Sequence, residues 1–281
     1  MIEGRPSRTA QRVALRRAAH QLFDTPKVLE DPLAVRIVGR EAAANISALT
    51  DRLSPAARYM RAFMAARARY AEDELAHAVR RGVTQFVILG AGLDTFGYRN
   101  PFPNLRVFEV DHPATQEWKR QRLHAENITI PDSVTYAAVD FNTQTLADGL
   151  RAANFQAAEP AFFSWLGVTM YLEPQTVLGT LRLIHTMHAE NAVVFDYTVP
   201  RHLLNTVGKL VLDAIMNRVA AAGEPFRGFF IPAELSASLS QIGYRHIEDL
   251  DSAAINARYF ANRTDSLKVA GAMGRLCHAR G

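Results

Sequence analysis

The chain has 281 residues, 48% hydrophobic and 21% charged, with a formal net charge of +4. That balance fits one large globular domain, or a domain with a sizeable insertion, and supplies enough apolar material for a full core. No stretch reaches the roughly 18–20 continuous apolar residues of a membrane helix. Cys277 is the single cysteine, so neither an intramolecular disulfide nor a cysteine-based zinc site can form within the chain. A reducing cytoplasm is the expected compartment, and the Arg-rich opening over residues 1–17, without an apolar core, does not read as a secretory signal.

Arg5, Arg8, Arg12, Arg16 and Arg17 make one dense basic segment, and the first four share a face at helical spacing. A solvated helix face is the simple reading; contact with nucleic acid is the sharper, weaker one. Residues 10–80 follow a helical pattern broken by Pro26, Pro32 and Pro55. Asp31-Pro32-Leu33-Ala34 reads as a helix start with Asp as N-cap, and Ser54-Pro55 repeats that signal.

From residue 83 the text changes. Short β-branched runs at 83–89, 106–111, 134–140, 161–166 and 192–197 alternate with helical patterns at 112–127, 145–154 and 174–189. Such alternation predicts an α/β fold with a doubly wound, mostly parallel sheet and helices on both faces. Residues 200–235 read as an insertion, helical over 202–222 and then rich in Pro, Gly and Phe, able to cover a site. Runs at 244–250 and 274–279 are expected to close the sheet as an antiparallel C-terminal edge. The division that follows is a helical N-terminal cap over 1–80 and a sheet domain over 81–281 with a lid insertion at 200–235.

The first strand runs into Gly90-Ala91-Gly92-Leu93-Asp94-Thr95. Gly90 and Gly92 allow a tight turn and a close approach of a ligand to the backbone. Asp111 ends the next strand 21 positions after Gly90, where an acidic side chain grips a ribose diol; capping the following helix is the alternative. A dinucleotide site wants a third glycine and an anion-friendly helix start. Asp94 stands near that place, and its charge ranks a ligand bearing an ammonium and a sulfonium above a pyrophosphate. S-adenosylmethionine is such a ligand. Asp140 and Phe141 follow the third strand and suit an adenine, or else a helix cap beside a core aromatic.

Arg67 and Arg69 lie on the helix before the first strand, where an arginine could take a carboxylate bidentately, or simply face solvent. Tyr171, after the fourth strand, could orient a substrate, although such a tyrosine is often only packed. His112 and His202 are further candidates for orientation or base work. The nine histidines show no metal spacing, His185 and His188 included, and no metal is expected. No nucleophile elbow or Walker-type loop occurs.

Together, Pro6-Ser7-Arg8-Thr9-Ala10, Asp31-Pro32-Leu33-Ala34, Arg67-Ala68-Arg69-Tyr70, Gly90-Ala91-Gly92-Leu93-Asp94-Thr95 and Phe108-Glu109-Val110-Asp111-His112-Pro113 resemble the leucine carboxyl methyltransferase family. The resemblance is greatest to its bacterial branch of S-adenosylmethionine-dependent O-methyltransferases. It implies a class I methyltransferase, Rossmann-like, acting on a small-molecule methyl acceptor; from hydropathy and charge, no membrane partner is expected and a nucleic-acid partner is the weaker alternative. It further implies Arg67 (or Arg69) on the methionine carboxylate, Gly90 and Gly92 along the cofactor cleft, Asp111 on the ribose, and Asp140 with Phe141 around the adenine. One position departs. Family members often carry a glutamate five residues before Tyr171, where it seats the cofactor amino group; here that position is Leu166. Main-chain carbonyls or Asp94 would then take the amino group. A nicotinamide-dependent oxidoreductase, and a non-catalytic binding protein on the same fold, are the competing functions.

Overall fold

The computed structural model describes residues 8–48, 54–141 and 143–281. Arg5, Pro6 and Ser7 lie outside them. Four helices come first: α1 (Arg8–Phe23), α2 (Ala34–Val38), α3 (Arg40–Ala48) and α4 (Pro55–Arg80). The Ser54-Pro55 signal does start α4, with Pro at its first turn. Asp31 does not cap a helix. Its Oδ1 accepts the Leu33 N–H at 3.2 Å, α2 begins at Ala34, and the rest of the carboxylate is turned inward to Arg17 and Thr95.

The sheet follows the predicted alternation: β1 (Gln85–Leu89), β2 (Arg106–Asp111), α5 (Pro113–Ala125), β3 (Val134–Ala138), α6 (Leu146–Ala152), β4 (Ala161–Trp165), α7 (Pro174–Met187) and β5 (Ala192–Thr198). Every residue of β1, β4 and β5 is buried, which is why these strands read as mostly apolar runs. The 200–235 segment carries α8 (Thr206–Ala221), and α9 (Pro232–Ile242), β6 (His246–Leu250), α10 (Ser252–Tyr259) and β7 (Gly274–Arg280) complete the described chain. Helices α9 and α10 have no counterpart in the sequence reading. Asp251 caps α10 by accepting the Ala254 N–H.

The strand order is β3-β2-β1-β4-β5-β7-β6. β1 to β5 are mutually parallel; β7 pairs antiparallel with both β5 and β6, so β7 alone is reversed and β6 forms the outer edge. One sheet face packs Val87, Phe108, Phe163 and Phe195 under α6, α7, α8 and α9. The other packs Phe86, Ile88, Phe162 and Val194 against α4 and α10. A third cluster, Ala14, Ala18, Ile37, Ile46 and Leu123 from α1, α2, α3 and α5, includes Leu93 of the glycine turn. The N-terminal helices are thus packed onto that turn. No helix among the described residues is long and apolar enough to cross a membrane.

Candidate functional site

The chain order reverses between β1 and β4, and a cleft at the carboxyl ends of such strands is where open α/β sheets take ligands. Gly90 (φ 69°) and Gly92 (φ 46°) both sit in the left-handed region that side chains rarely adopt. A Cβ on Gly90 would come 2.5 Å from Val168 Cγ2, so only glycine lets the turn pass beneath the loop after β4.

Asp111 clasps this turn. Its Oδ2 accepts the Gly92 N–H at 2.7 Å and its Oδ1 accepts the His112 N–H at 2.7 Å. Burial pushes the carboxyl above its ordinary range, and those two N–H bonds pull the other way. The cap of α5 is His112, whose Nδ1 accepts the Ala114 N–H, so the capping alternative for Asp111 does not hold. Each Asp111 oxygen keeps a second lone pair, which a pair of hydroxyls could use.

Asp94 is differently placed from the bare charge expected. Oδ1 accepts the Phe96 N–H at 2.7 Å, and Oδ2 pairs with Arg17 Nη1 at 2.8 Å. Burial would raise this carboxyl, but Arg17, Lys119, the Phe96 N–H and Arg99 outweigh it and hold its pKa at about 2. The charge that ranked S-adenosylmethionine over a dinucleotide is therefore already answered by arginine, and that ranking loses its basis.

Arg67 is 5% exposed and pairs with Asp196 of β5, Nη1 to Oδ2 2.6 Å. Asp196 is 1% exposed, and its Oδ1 accepts the Gly167 N–H at 2.5 Å. Arg67 thereby reaches the loop after β4: a Cβ on Gly167 would lie 2.9 Å from its Nη2. Arg69 instead faces outward and pairs with Asp73 one turn along. Asp196 was missed, although a lone carboxylate inside a mostly apolar strand was a readable signal.

β3 ends at Ala138, two residues short of the predicted end, and the Asp140 carbonyl accepts N–H bonds from Thr143 and Gln144. The turn presents Phe141 at 64% exposure, unusual for so large an apolar side chain. Leu166 is half-buried against the core on the α4 side. Tyr171 shares a hydrogen bond with Thr9 of α1, and its ring packs edge-on to Phe226 at 5.3 Å. Burial raises its phenol pKa. Thr9 also donates to Glu224, in the turn after α8. The 200–235 segment is fastened in turn, since the Arg227 and Gly228 N–H groups donate to the Met170 carbonyl. His202 is exposed on a single 3-10 turn.

Further ionic clusters, one buried and one reaching the surface, have no counterpart in the sequence reading. Lys119 Nζ meets Glu109 Oε2 at 2.7 Å beside Tyr98 and Tyr136. Glu74, Glu248 and His278 bring three ligand-type atoms within 4.8 Å of one another, but Arg258 lies against both glutamates and already supplies the cation.

A turn with glycine at two positions, a carboxylate behind it and an exposed aromatic at the next strand end fit a nucleoside. The described residues of the cleft thus suit the cofactor that the sequence pointed to.

Comparison with known proteins agrees. The sequence model of the leucine carboxyl methyltransferase family matches residues 10–185. YktD of Bacillus subtilis, which carries an S-adenosyl-L-methionine-dependent methyltransferase name, is 31% identical over 96% of both chains. A similarly named protein of Mycobacterium tuberculosis H37Rv is 33% identical, covering 73% of this chain and 58% of its own. A solved structure described as a methyltransferase from Thermobifida fusca superposes with a TM-score of 0.59 at 15% identity, over 99% of this chain and 96% of its own, which speaks to the fold. The chain belongs to the leucine carboxyl methyltransferase family of S-adenosylmethionine-dependent methyltransferases.

Proposed function

We propose that this protein transfers the methyl group of S-adenosylmethionine to a carboxylate oxygen of a small metabolite. Asp111, Gly90, Gly92, Arg67 and the Asp140–Phe141 turn would hold the donor. Main-chain groups of the loop after β4 would serve the amino group where Leu166 stands. The cap over 1–80 and the 200–235 insertion would form the lid and select the acceptor.

The observation that carries the choice of acceptor is the state of the ionisable groups around the cleft. Asp94 is paired with Arg17 and Asp196 with Arg67. His112 Nδ1 is spent on a helix cap. Burial keeps the Tyr171 phenol protonated at neutral pH, so it can donate a hydrogen bond but is a poor base. A carboxylate acceptor needs no base, because it is already ionised. The donor supplies an electrophilic methyl on a sulfonium. The acceptor oxygen forms the new C–O bond while the C–S pair stays with sulfur, leaving a methyl ester and S-adenosylhomocysteine. The protein need only align the two and exclude water.

The test is incubation with methyl-labelled S-adenosylmethionine and separate panels of small carboxylic acids, phenols and alcohols. Label released as methanol by mild alkali identifies a methyl ester and supports the proposal. Alkali-stable label on a phenol or alcohol would replace the carboxylate by a hydroxyl.

A further inference from the structure

Helix α1 belongs to the N-terminal cap, yet one of its side chains reaches into the centre of the glycine turn. Arg17 is 6% exposed. Its Nη1 meets Asp94 Oδ2 at 2.8 Å, and its Nη2 meets Asp31 Oδ2 at 2.7 Å and Thr95 Oγ1 at 3.0 Å. The Thr95 hydroxyl in turn donates a hydrogen bond to Asp31 Oδ2 at 2.7 Å. Arg99 closes the far side, 3.3 Å from Asp31 and paired with Glu72. Two guanidiniums therefore serve three carboxylates; without Arg17, Asp31 would keep Arg99 as its ion-pair partner and Asp94 only the more distant charges of Lys119 and Arg99.

Two turns earlier on the same helix, Ala10 rests on the glycine turn: a Cβ on Gly92 would lie 3.0 Å from that of Ala10. Next to it, Thr9 bonds Tyr171 and Glu224 on the acceptor side. So α1 crosses the mouth of the cleft from the donor turn to the acceptor loop, and Arg17 is its anchor. The turn is gripped from two sides, by Asp111 through the Gly92 N–H and by Arg17 through Asp94, whose other oxygen holds the Phe96 N–H.

We propose that Arg17 is a positioning residue: by pinning Asp94 and Thr95 to α1 it sets the shape of the Gly90–Thr95 turn, so that seating of α1 and binding of the donor are coupled. This rests on the donor site assigned above. Only a planar fork can meet two carboxylates and a hydroxyl at once, so lysine would be an incomplete substitute.

The test uses the full chain and the variants Arg17→Met, Arg17→Lys, Asp94→Asn and Arg17→Met/Asp94→Asn. Amide hydrogen exchange over residues 90–97 is read without ligand, and S-adenosylhomocysteine binding by calorimetry. Arg17→Met is expected to speed exchange of that turn and to weaken binding about tenfold, a usual size for coupled sites. Arg17→Lys should recover part of both. The double variant should be no worse than Arg17→Met, because both changes break the same link. If Arg17→Met does not fold, the double variant, which removes the unpaired carboxylate as well, carries the comparison with Asp94→Asn. Unchanged exchange and binding in Arg17→Met, or a lower melting temperature with wild-type binding, overturns the proposal, as do strictly additive effects. Failure of the wild type to bind S-adenosylhomocysteine removes the donor reading and the coupling with it. The exchange comparison then still decides whether Arg17 holds the turn.

Discussion

Replacing Arg67 with methionine removes one partner of a pair whose other member, Asp196, is 1% exposed. The stranded carboxylate keeps the Gly167 N–H but loses its only charge partner among the contacts described above. Breaking a buried pair from one side costs about 3–5 kcal/mol, mostly as desolvation of the charge left behind. Unfolding entropy of about 2.1 cal/mol/K per residue gives roughly 0.6 kcal/mol/K for this chain, so the melting temperature should fall by about 5–8 °C. Adding Asp196→Asn should recover most of that, since a neutral amide oxygen still accepts the Gly167 N–H without a bare charge. Scanning fluorimetry and urea unfolding of the two single variants and the double variant measure this directly. A single Arg67→Met variant within ~1 °C of wild type would mean that water reaches Asp196, and would refute the view of Arg67 as a buried strut under the loop after β4.

Three more outcomes follow from the geometry. Asp94 titrates near 2 when folded, below its ordinary value of 3.8, so the stability it contributes is present above about pH 4 and is lost as pH falls towards 2; Asp94→Asn should flatten that limb of an acid-unfolding curve, and an unaltered limb would count against the Arg17–Asp94 pair. Phe141→Ala should leave stability within ~0.5 kcal/mol, as the side chain is already exposed, yet weaken S-adenosylhomocysteine binding by about tenfold through lost stacking on the base; calorimetry beside urea unfolding separates the two. Gly90→Ala should cost about 1–2 kcal/mol for its positive φ plus the clash with Val168. A further Val168→Ala should relieve only the clash, read from the urea midpoint, and full recovery would show that φ is unstrained.

The central strands were legible because burial on both faces leaves β1, β4 and β5 mostly apolar between glycine-rich or polar turns. Gly90, Gly92 and Asp111 were legible because a tight strand-to-helix turn allows few residue types. What stayed hidden depended on distant pairings. Position alone says that β7 comes last; that it inserts between β5 and β6 is settled by side chains on α4, α9 and α10. Arg17 sat among arginines of which Arg12 is exposed, and nothing local distinguishes the one that meets Asp31, 14 residues on, and Asp94, 77 residues on. Asp94 read as a free charge because its partner, Arg17, lies on α1, far away in sequence. The Thr9–Tyr171 link joins the first described helix to the loop after β4, beyond the reach of any sequence window.

The central claim is that the cleft at the ends of β1 and β2 binds the methyl donor, with Asp111 on its ribose. Calorimetric titration of the wild type and Asp111→Ala with S-adenosylhomocysteine tests it most directly. The account predicts one site per chain in the wild type and an affinity reduced by more than about tenfold in Asp111→Ala, the loss of charge-assisted hydrogen bonds to the diol. Equal affinity in the two proteins, or no binding to the wild type, would contradict it.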